Sequence, residues 1–414
     1  MSKKINMFKK QKINFANKQA VEEEILTSNF SLKVAEHVIQ QHMSKNKSVV
    51  CSPVSIDAIL SILALGAENS TLDQLLTLLG HGDVRELNTR ARKLRAVLKN
   101  NSHDDNQDAP KISFVNGLWL DKRFSMKTGF QKVLKDVHKT EARVVDFVNR
   151  ADRVVNEINS WAEQETKGLI KQIFSRNNIN FDTLLILGNA LYFNGNWHNY
   201  FKSEHTKDDD FNLLNGDKIR VPMMNQWNEY FEYRTSDSYQ VLKMPYKIGD
   251  NEDETKIFSM YVFLPREKNG LPNLMKEIKI NPNLFVKGFK SVNISHLSIP
   301  KFKFECDVEL KEPMKQLGLL SPFEETCKDF SGMTDIVEPI YVSDISQKCF
   351  VETNERGTKA AAFTWCQFAP GCIVGSYRPP PPPINFVADH PFMFVIREDV
   401  SGAILFIGTV LDPR

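Results

Sequence analysis

The sequence predicts one large domain of the α+β class, with helices gathered early and strands later. Three observations lead there. Of the 414 residues, 42% are hydrophobic and 25% charged, the proportions of an ordinary globular protein rather than a disordered or fibrous one. Apolar positions recur at helical spacing through the first third and mostly at strand spacing afterwards. No internal repeat and no Gly/Ser-rich linker divides the chain.

The helices are marked by their ends. "SNFSLKVAEHVIQQ" (28–41) opens on Ser/Asn capping chemistry and sets Phe30, Val34 and Val38 on one face, with Leu32, Ala35 and Ile39 alongside. In "SPVSIDAILSILALG", Ser52 precedes Pro53, a favoured first helical residue, and Gly66 is the stop. "STLDQLLTLLG" starts on Ser70 and Thr71 and ends at Gly80. "VRELNTRARKLRAVLKN" continues the pattern, and its Arg85, Arg90, Arg92, Lys93 and Arg95 read as a solvated basic face rather than a polyanion site.

Strands begin near residue 111 with "ISFVNGLWL", followed by a helix at "FQKVLKDV" and a strand at "ARVVDFV". "ADRVVNEINSWAEQETKGLI" (151–170) is a long amphipathic helix with Val155, Ile158, Trp161 and Ala162 on its stripe. "LLILGNALYF" (184–193) is too apolar to alternate and predicts a strand buried on both faces. "IFSMYVFLP" (257–265) and "IPKFKFECDVEL" (299–310) are the clearest later strands. In the second, Phe302, Phe304 and Cys306 alternate with Lys301, Lys303 and Glu305.

Several function classes find no support. A net charge of +2 points to neither nucleic acid nor an anionic membrane. Residues 1–27 read as a disordered tail, basic through Lys3, Lys4, Lys9, Lys10, Lys12 and Lys18 and then acidic at Glu22, Glu23 and Glu24. The early residues lack the apolar core of a secretory signal, and the run 58–67 is too short to span a bilayer. Cys51, Cys306, Cys327, Cys349, Cys366 and Cys372 show no CxxC pair or zinc spacing, so they are expected to be reduced thiols. Cytoplasmic or nuclear residence is therefore expected, ahead of an extracellular one. There is no Walker loop, GxGxxG, HExxH or GxSxG, and His296 and His390 read as packed side chains. No catalytic residue, metal or cofactor is expected.

The stretch "FVETNERGTKAAAFT" resembles the reactive-loop hinge of the serpin family. "SPVSIDAILSILALGA" (52–67), "LGNALYFNGNW" (187–197), "GLLSPFEETCKDFSGM" (318–333) and "FVADHPFMFVIREDVSGAILFIGTVLDP" (386–413) are similar to further serpin segments in family order. "SWAEQETKGLIKQIF" and "FVADHPF" look most like the plant branch. The resemblance implies one domain over 28–414, with three β-sheets, eight or nine helices and an exposed reactive loop at about 355–385. It also implies a monomeric suicide inhibitor of serine, or cysteine, endopeptidases and not an enzyme. In such inhibitors the protease is trapped as a covalent acyl-enzyme while the cleaved loop enters the main sheet as a new central strand. The alternative is a serpin that no longer inserts its loop and acts as a binding or decoy protein.

By that resemblance the hinge is Glu355, Arg356, Gly357, Thr358, Lys359, Ala360, Ala361 and Ala362. Alternation in a strand would send Thr358, Ala360, Ala362, Thr364 and Cys366 inward, all compact, and Phe363 and Trp365 away from the core. The family's spacing from Glu355 puts the scissile bond at Gly371–Cys372, whereas counting back from Phe386 puts it at Gly375–Ser376. The run Pro379–Pro383 fixes an extended piece without N–H donors. A sheet-opening polar cluster is expected from Ser52, Ser55, Asn189 and Gln347, where Gln347 stands in place of the family's histidine.

Overall fold

Capping chemistry sets the first helices. In the computed structural model the described residues are 26–99, 110–166, 168, 170–176, 179–248, 256–278, 283–335, 338–357 and 382–414. Ser28 caps α1 (Asn29–Met43) by accepting from Ser31 N–H, and β1 (Val49–Cys51) follows. Ser52 then caps α2 (Pro53–Gly66) by accepting from Ser55 N–H, and nearly every α2 residue is buried. Helix α3 (Asn69–Leu79) starts before the expected Ser70–Thr71. Its first turn is satisfied from afar: Asp329 accepts from Thr71 N–H at 3.0 Å and from the Ser70 hydroxyl at 2.8 Å. Gly80 closes α3 with φ +76°. Asp83 caps α4 (Val84–Leu98), but Arg90 is not on its solvated face. Arg90 is buried, donating to His81 Nε2 at 2.8 Å and lying 3.5 Å from Asp57.

The last two residues of the segment 1–27 are part of the folded body. Leu26 and Thr27 are buried, Leu26 N–H donating to Ser401 O and Thr27 Oγ1 accepting from Ile404 N–H.

The chain continues through β2 (Lys111–Asp121), α5 (Thr128–Val133) with a π-helical turn at Leu134–His138, β3 (Thr140–Val145), α6 (Ala151–Glu165) and β4 (Leu185–Asn194). Next come β5 (Lys207–Asn212), β6 (Lys218–Thr235), β7 (Tyr239–Pro245), β8 (Phe258–Pro265), α7 (Leu271–Glu277) and α8 (Asn283–Val286). The last elements are β9 (Lys290–Pro300), β10 (Phe302–Glu309), α9 (Lys311–Gln316), β11 (Val342–Thr353), β12 (Ile384–Val387), β13 (Phe392–Glu398) and β14 (Ile404–Val410). The run 299–310 thus divides at Lys301 between the end of β9 and β10.

The strands form a five-stranded sheet, β10-β11-β4-β2-β3, and a nine-stranded one. The larger runs β1-β14-β13-β8-β7-β6-β9-β12, with β5 also on β6. Strand β6, at 18 residues, is shared by both halves of that network, so the three expected sheets are joined into two hydrogen-bonded units. Strand β4 is buried on both faces. Its Ile186 and Ala190 lie in an apolar cluster with Trp119, Phe174 and the α6 residues Ile158 and Trp161, so α6 covers the outer face of the five-stranded sheet. Among the described residues no helix is long and apolar enough to cross a membrane.

Candidate functional site: loop hinge and sheet seam

Strand β11 ends at Thr353 and the chain turns back on itself. Asn354 N–H donates to Gly357 O at 2.8 Å and Gly357 N–H to Asn354 O at 3.1 Å. The turn is pinned by the segment after β4: Trp197 N–H donates to Arg356 O (2.7 Å) and Phe201 N–H to Glu355 O (2.7 Å). The Trp197 indole donates to Asn354 O at 3.0 Å and stacks on Tyr246 at 4.6 Å. The Glu355 carboxylate accepts from Thr206 Oγ1 at 2.8 Å and pairs with Lys301 Nζ at 3.0 Å. Burial opposes its charge, but backbone, Lys301 and Thr206 hydrogen bonds prevail and hold its pKa below the ordinary value. Gly357 has φ +133°, and a Cβ there would lie 2.6 Å from Asn196 Cα. Only glycine fits.

Below the hinge, β11 and β4 are direct neighbours and run parallel, Val342–Phe350 against Leu185–Tyr192. The polar cluster sits halfway along this seam. Gln347 grips one residue with both ends of its amide: Oε1 accepts from Ser52 N–H at 2.7 Å and Nε2 donates to Ser52 O at 2.9 Å. The Ser55 hydroxyl donates to Ser52 Oγ at 2.8 Å, and the Cys349 thiol donates to Gln347 Oε1 at 3.3 Å. Asn189 lies in register with Gln347 but turns the other way. Its Nδ2 donates to Asn116 Oδ1 (2.8 Å) and Val115 O (3.1 Å) on β2, while its buried Oδ1 has no hydrogen-bond partner. Of the four expected members, Ser52, Ser55 and Gln347 are bonded together and Asn189 is bonded to β2 instead.

Thr358, Lys359, Ala360, Ala361 and Ala362, and both candidate bonds, Gly371–Cys372 and Gly375–Ser376, lie outside the described residues. The chain is described again from Pro382, and β12 pairs parallel with β9, Asn385 opposite His296. Sequence reasoning did not assign Phe201, Thr206, Lys301 or Asn116, because their partners are remote in the chain and no local pattern marks them. The described thiols Cys51, Cys306, Cys327 and Cys349 are free. Burial raises the Cys51 pKa to about 12 and that of Cys349 well above its ordinary value, which makes both poor nucleophiles. Among the described residues no cluster of His, Cys, Asp and Glu could hold a metal ion.

The fold, with its closed parallel seam and the glycine-pivoted turn at the seam's end, is of the serpin class. The family model described as serpin (serine protease inhibitor) matches residues 26–413, and the chain belongs to that family. It is 38% identical to Serpin-Z2B of Triticum aestivum over 391 residues, covering 93% of this chain and 95% of that protein. It is 37% identical to Serpin-ZX of Arabidopsis thaliana over 398 residues, covering 94% and 97%. The solved structure of Arabidopsis AtSerpin1 in its native stressed conformation superposes with a TM-score of 0.80 at 34% identity, covering 92% of this chain and 97% of that one.

Proposed function

We propose that this serpin inhibits serine or cysteine endopeptidases by inserting its cleaved loop between β4 and β11. The observation that carries the reading is the parallel seam itself. A strand arriving from Gly357 runs antiparallel to both neighbours, so one parallel ladder is exchanged for two antiparallel ones, the slightly stronger kind per residue.

The hinge bridges supply a register for that strand. Gly357 is bridged antiparallel to Asn354 on one side and to Asn196 on the other. Extending both bridges puts Ala360 between Val351 and Phe193, Ala362 between Cys349 and Leu191, and Cys366 between Ile345 and Leu187. The same extension sets Thr364 between Gln347 and Asn189. A threonine hydroxyl can donate and accept, so it would meet the Asn189 Oδ1 that has no partner in the closed sheet. The compact inward set thus fits the seam residue by residue.

The outward set fits less well. In this register Phe363 falls beside Ala190 and Trp365 beside Gly188, in the face that α6 covers. A Cβ on Gly188 would already lie 2.9 Å from Phe174, so both side chains would press into an apolar layer rather than into water. That crowding favours the second reading, a serpin that binds or decoys without insertion. Cytoplasmic or nuclear residence and action as a monomer belong to the first proposal.

The two readings part in one assay. The purified protein is mixed with elastase-, trypsin-, chymotrypsin- and papain-type proteases and run on a denaturing gel. A covalent band resistant to denaturant is expected with at least one of them; clean cleavage by all four favours the decoy.

A further inference from the structure

Three thiols converge beside the seam, and the polar cluster uses only one of them. Cys306 on β10 stands directly opposite Cys349 on β11. The flanking pairs on their face are Phe304 with Val351 and Val308 with Gln347, while Lys303, Glu305 and Asp307 are exposed on the other. Cys349 is buried and Cys306 partly exposed, and both pack against the same apolar cluster. The third thiol is Cys51, at the end of β1. Val50 beside it is hydrogen-bonded through its main chain to the Cys306 thiol, and a charge on any of the three sulfurs is opposed by the others.

Register selects one pair from the three. Directly opposed residues of an antiparallel ladder have Cα atoms about 4.5–5.5 Å apart, inside the range of about 4.4–6.8 Å that a disulfide spans. Cys51 has no such register with either thiol. It pairs with Ile407 of β14 and meets β10 and β11 only where the two sheets pack together. Little holds Cys349 in its reduced form. Its thiol donates to Gln347 Oε1 at 3.3 Å, and Gln347 keeps both bonds to Ser52 without it.

We propose that Cys306 and Cys349 form an oxidation site, closing to a reversible cross-strand disulfide in response to a hydroperoxide. Cys306, the thiol nearer to solvent, loses its proton and attacks a peroxide oxygen. The O–O bond breaks, the leaving hydroxide takes up that proton as water, and Cys306 becomes a sulfenic acid. The Cys349 sulfur then attacks the Cys306 sulfur, and its proton leaves with the sulfenic hydroxyl as a second water. Two thiols and one hydrogen peroxide thus give one disulfide and two waters. Burial keeps both thiols protonated, so closure is slow and answers sustained oxidant rather than a brief pulse. The bond closes residues 307–348 into a loop, which restricts the unfolded chain and so stabilises the fold. It ties β11 to β10, on the side away from β4, and is independent of whether the cleaved loop inserts.

The test uses the full-length, uncleaved protein. Wild type, Cys306→Ala and Cys349→Ala are held in excess hydrogen peroxide, the remaining thiols are alkylated, and the digests are read by mass spectrometry. A peptide pair linked through Cys306 and Cys349 is expected in wild type and in neither variant, and dithiothreitol should release it. The oxidised wild type should melt about 3–6 °C above the reduced protein. Cys306→Ala, which keeps the loop thiols Cys366 and Cys372, should show no such rise. Absence of the linked pair overturns the proposal, as does a bond from Cys306 to Cys51 or a Cys306 that proceeds to sulfinic acid unlinked. A linked protein that melts no higher than the reduced one overturns the stabilising role. If Cys349→Ala does not fold, wild type and Cys306→Ala still decide the matter.

Discussion

Gln347 sits halfway along the seam, and its amide binds Ser52 as a second backbone would, one acceptor and one donor to one residue. Removing it strands the buried Ser52 N–H and leaves the Cys349 thiol without its acceptor, while Ser52 O keeps the Ile56 N–H. Gln347→Ala is therefore expected to destabilise the closed fold by about 2–4 kcal/mol, read as a lower midpoint in urea unfolding; an unchanged midpoint would show that the grip contributes nothing. Thr364 gives the complementary experiment. Thr364→Val should leave the melting of the uncleaved protein alone and reduce the stability of the cleaved protein by about 1–2 kcal/mol, because only the inserted strand brings the hydroxyl to Asn189. Equal effects on both forms would refute the register. At this scale the sequence was legible where chemistry is local, as with Ser28, Ser52 and Gly357. It was opaque where a partner is distant: nothing near Asn189 says that its amide faces Asn116 rather than Gln347.

Among the elements, helices were read from their caps and strands from alternation, and both signals failed where a remote residue takes over. Asp329 does the capping at α3, so the helix starts before its own Ser and Thr. Arg90 sits among the arginines of α4 yet turns inward to Asp57. The π-helical turn after α5 holds a third such case, His138, whose Nε2 meets Asn88 Oδ1 on α4 at 3.0 Å. Burial first, and then Arg92 and Arg95, lower its pKa from 6.5 to about 4. The unfolded chain thus takes up the proton before the folded one does, and stability must fall as pH drops through that window. The full contribution is present above about pH 6.5, and about 2–3 kcal/mol of it is lost by pH 4.5. His138→Gln keeps a side-chain donor toward Asn88 but cannot titrate. Its stability in urea should decline less than that of wild type between pH 7 and pH 4.5; parallel declines would mean that other groups carry the acid lability.

For the whole molecule the question is which strand order is lower in energy once the loop is free at one end. The family order of the motifs made the architecture legible, and the compact alternate residues Thr358, Ala360 and Ala362 pointed to insertion. The apolar layer awaiting Phe363 and Trp365 could not be read, because it is built by α6 and Phe174, far away in the chain. Two antiparallel ladders about ten residues long in place of one parallel ladder add on the order of ten hydrogen bonds, or about 10 kcal/mol. Crowding under α6 subtracts from that, though α6 can shift as a unit because it is held to the sheet by side chains rather than by a strand ladder. Spread over the unfolding entropy of a chain this long, a gain of that size raises the melting temperature by about 10 °C. The loop should therefore be nicked with whichever panel protease cuts it without forming a complex, and nicked and intact protein melted side by side by circular dichroism. A rise of about that size is expected, together with new amide protection along β4 and β11. An unchanged melt, with Leu185–Tyr192 and Val342–Phe350 exchanging as before, would mean that α6 holds the seam shut and that cleavage leaves this serpin a passive substrate.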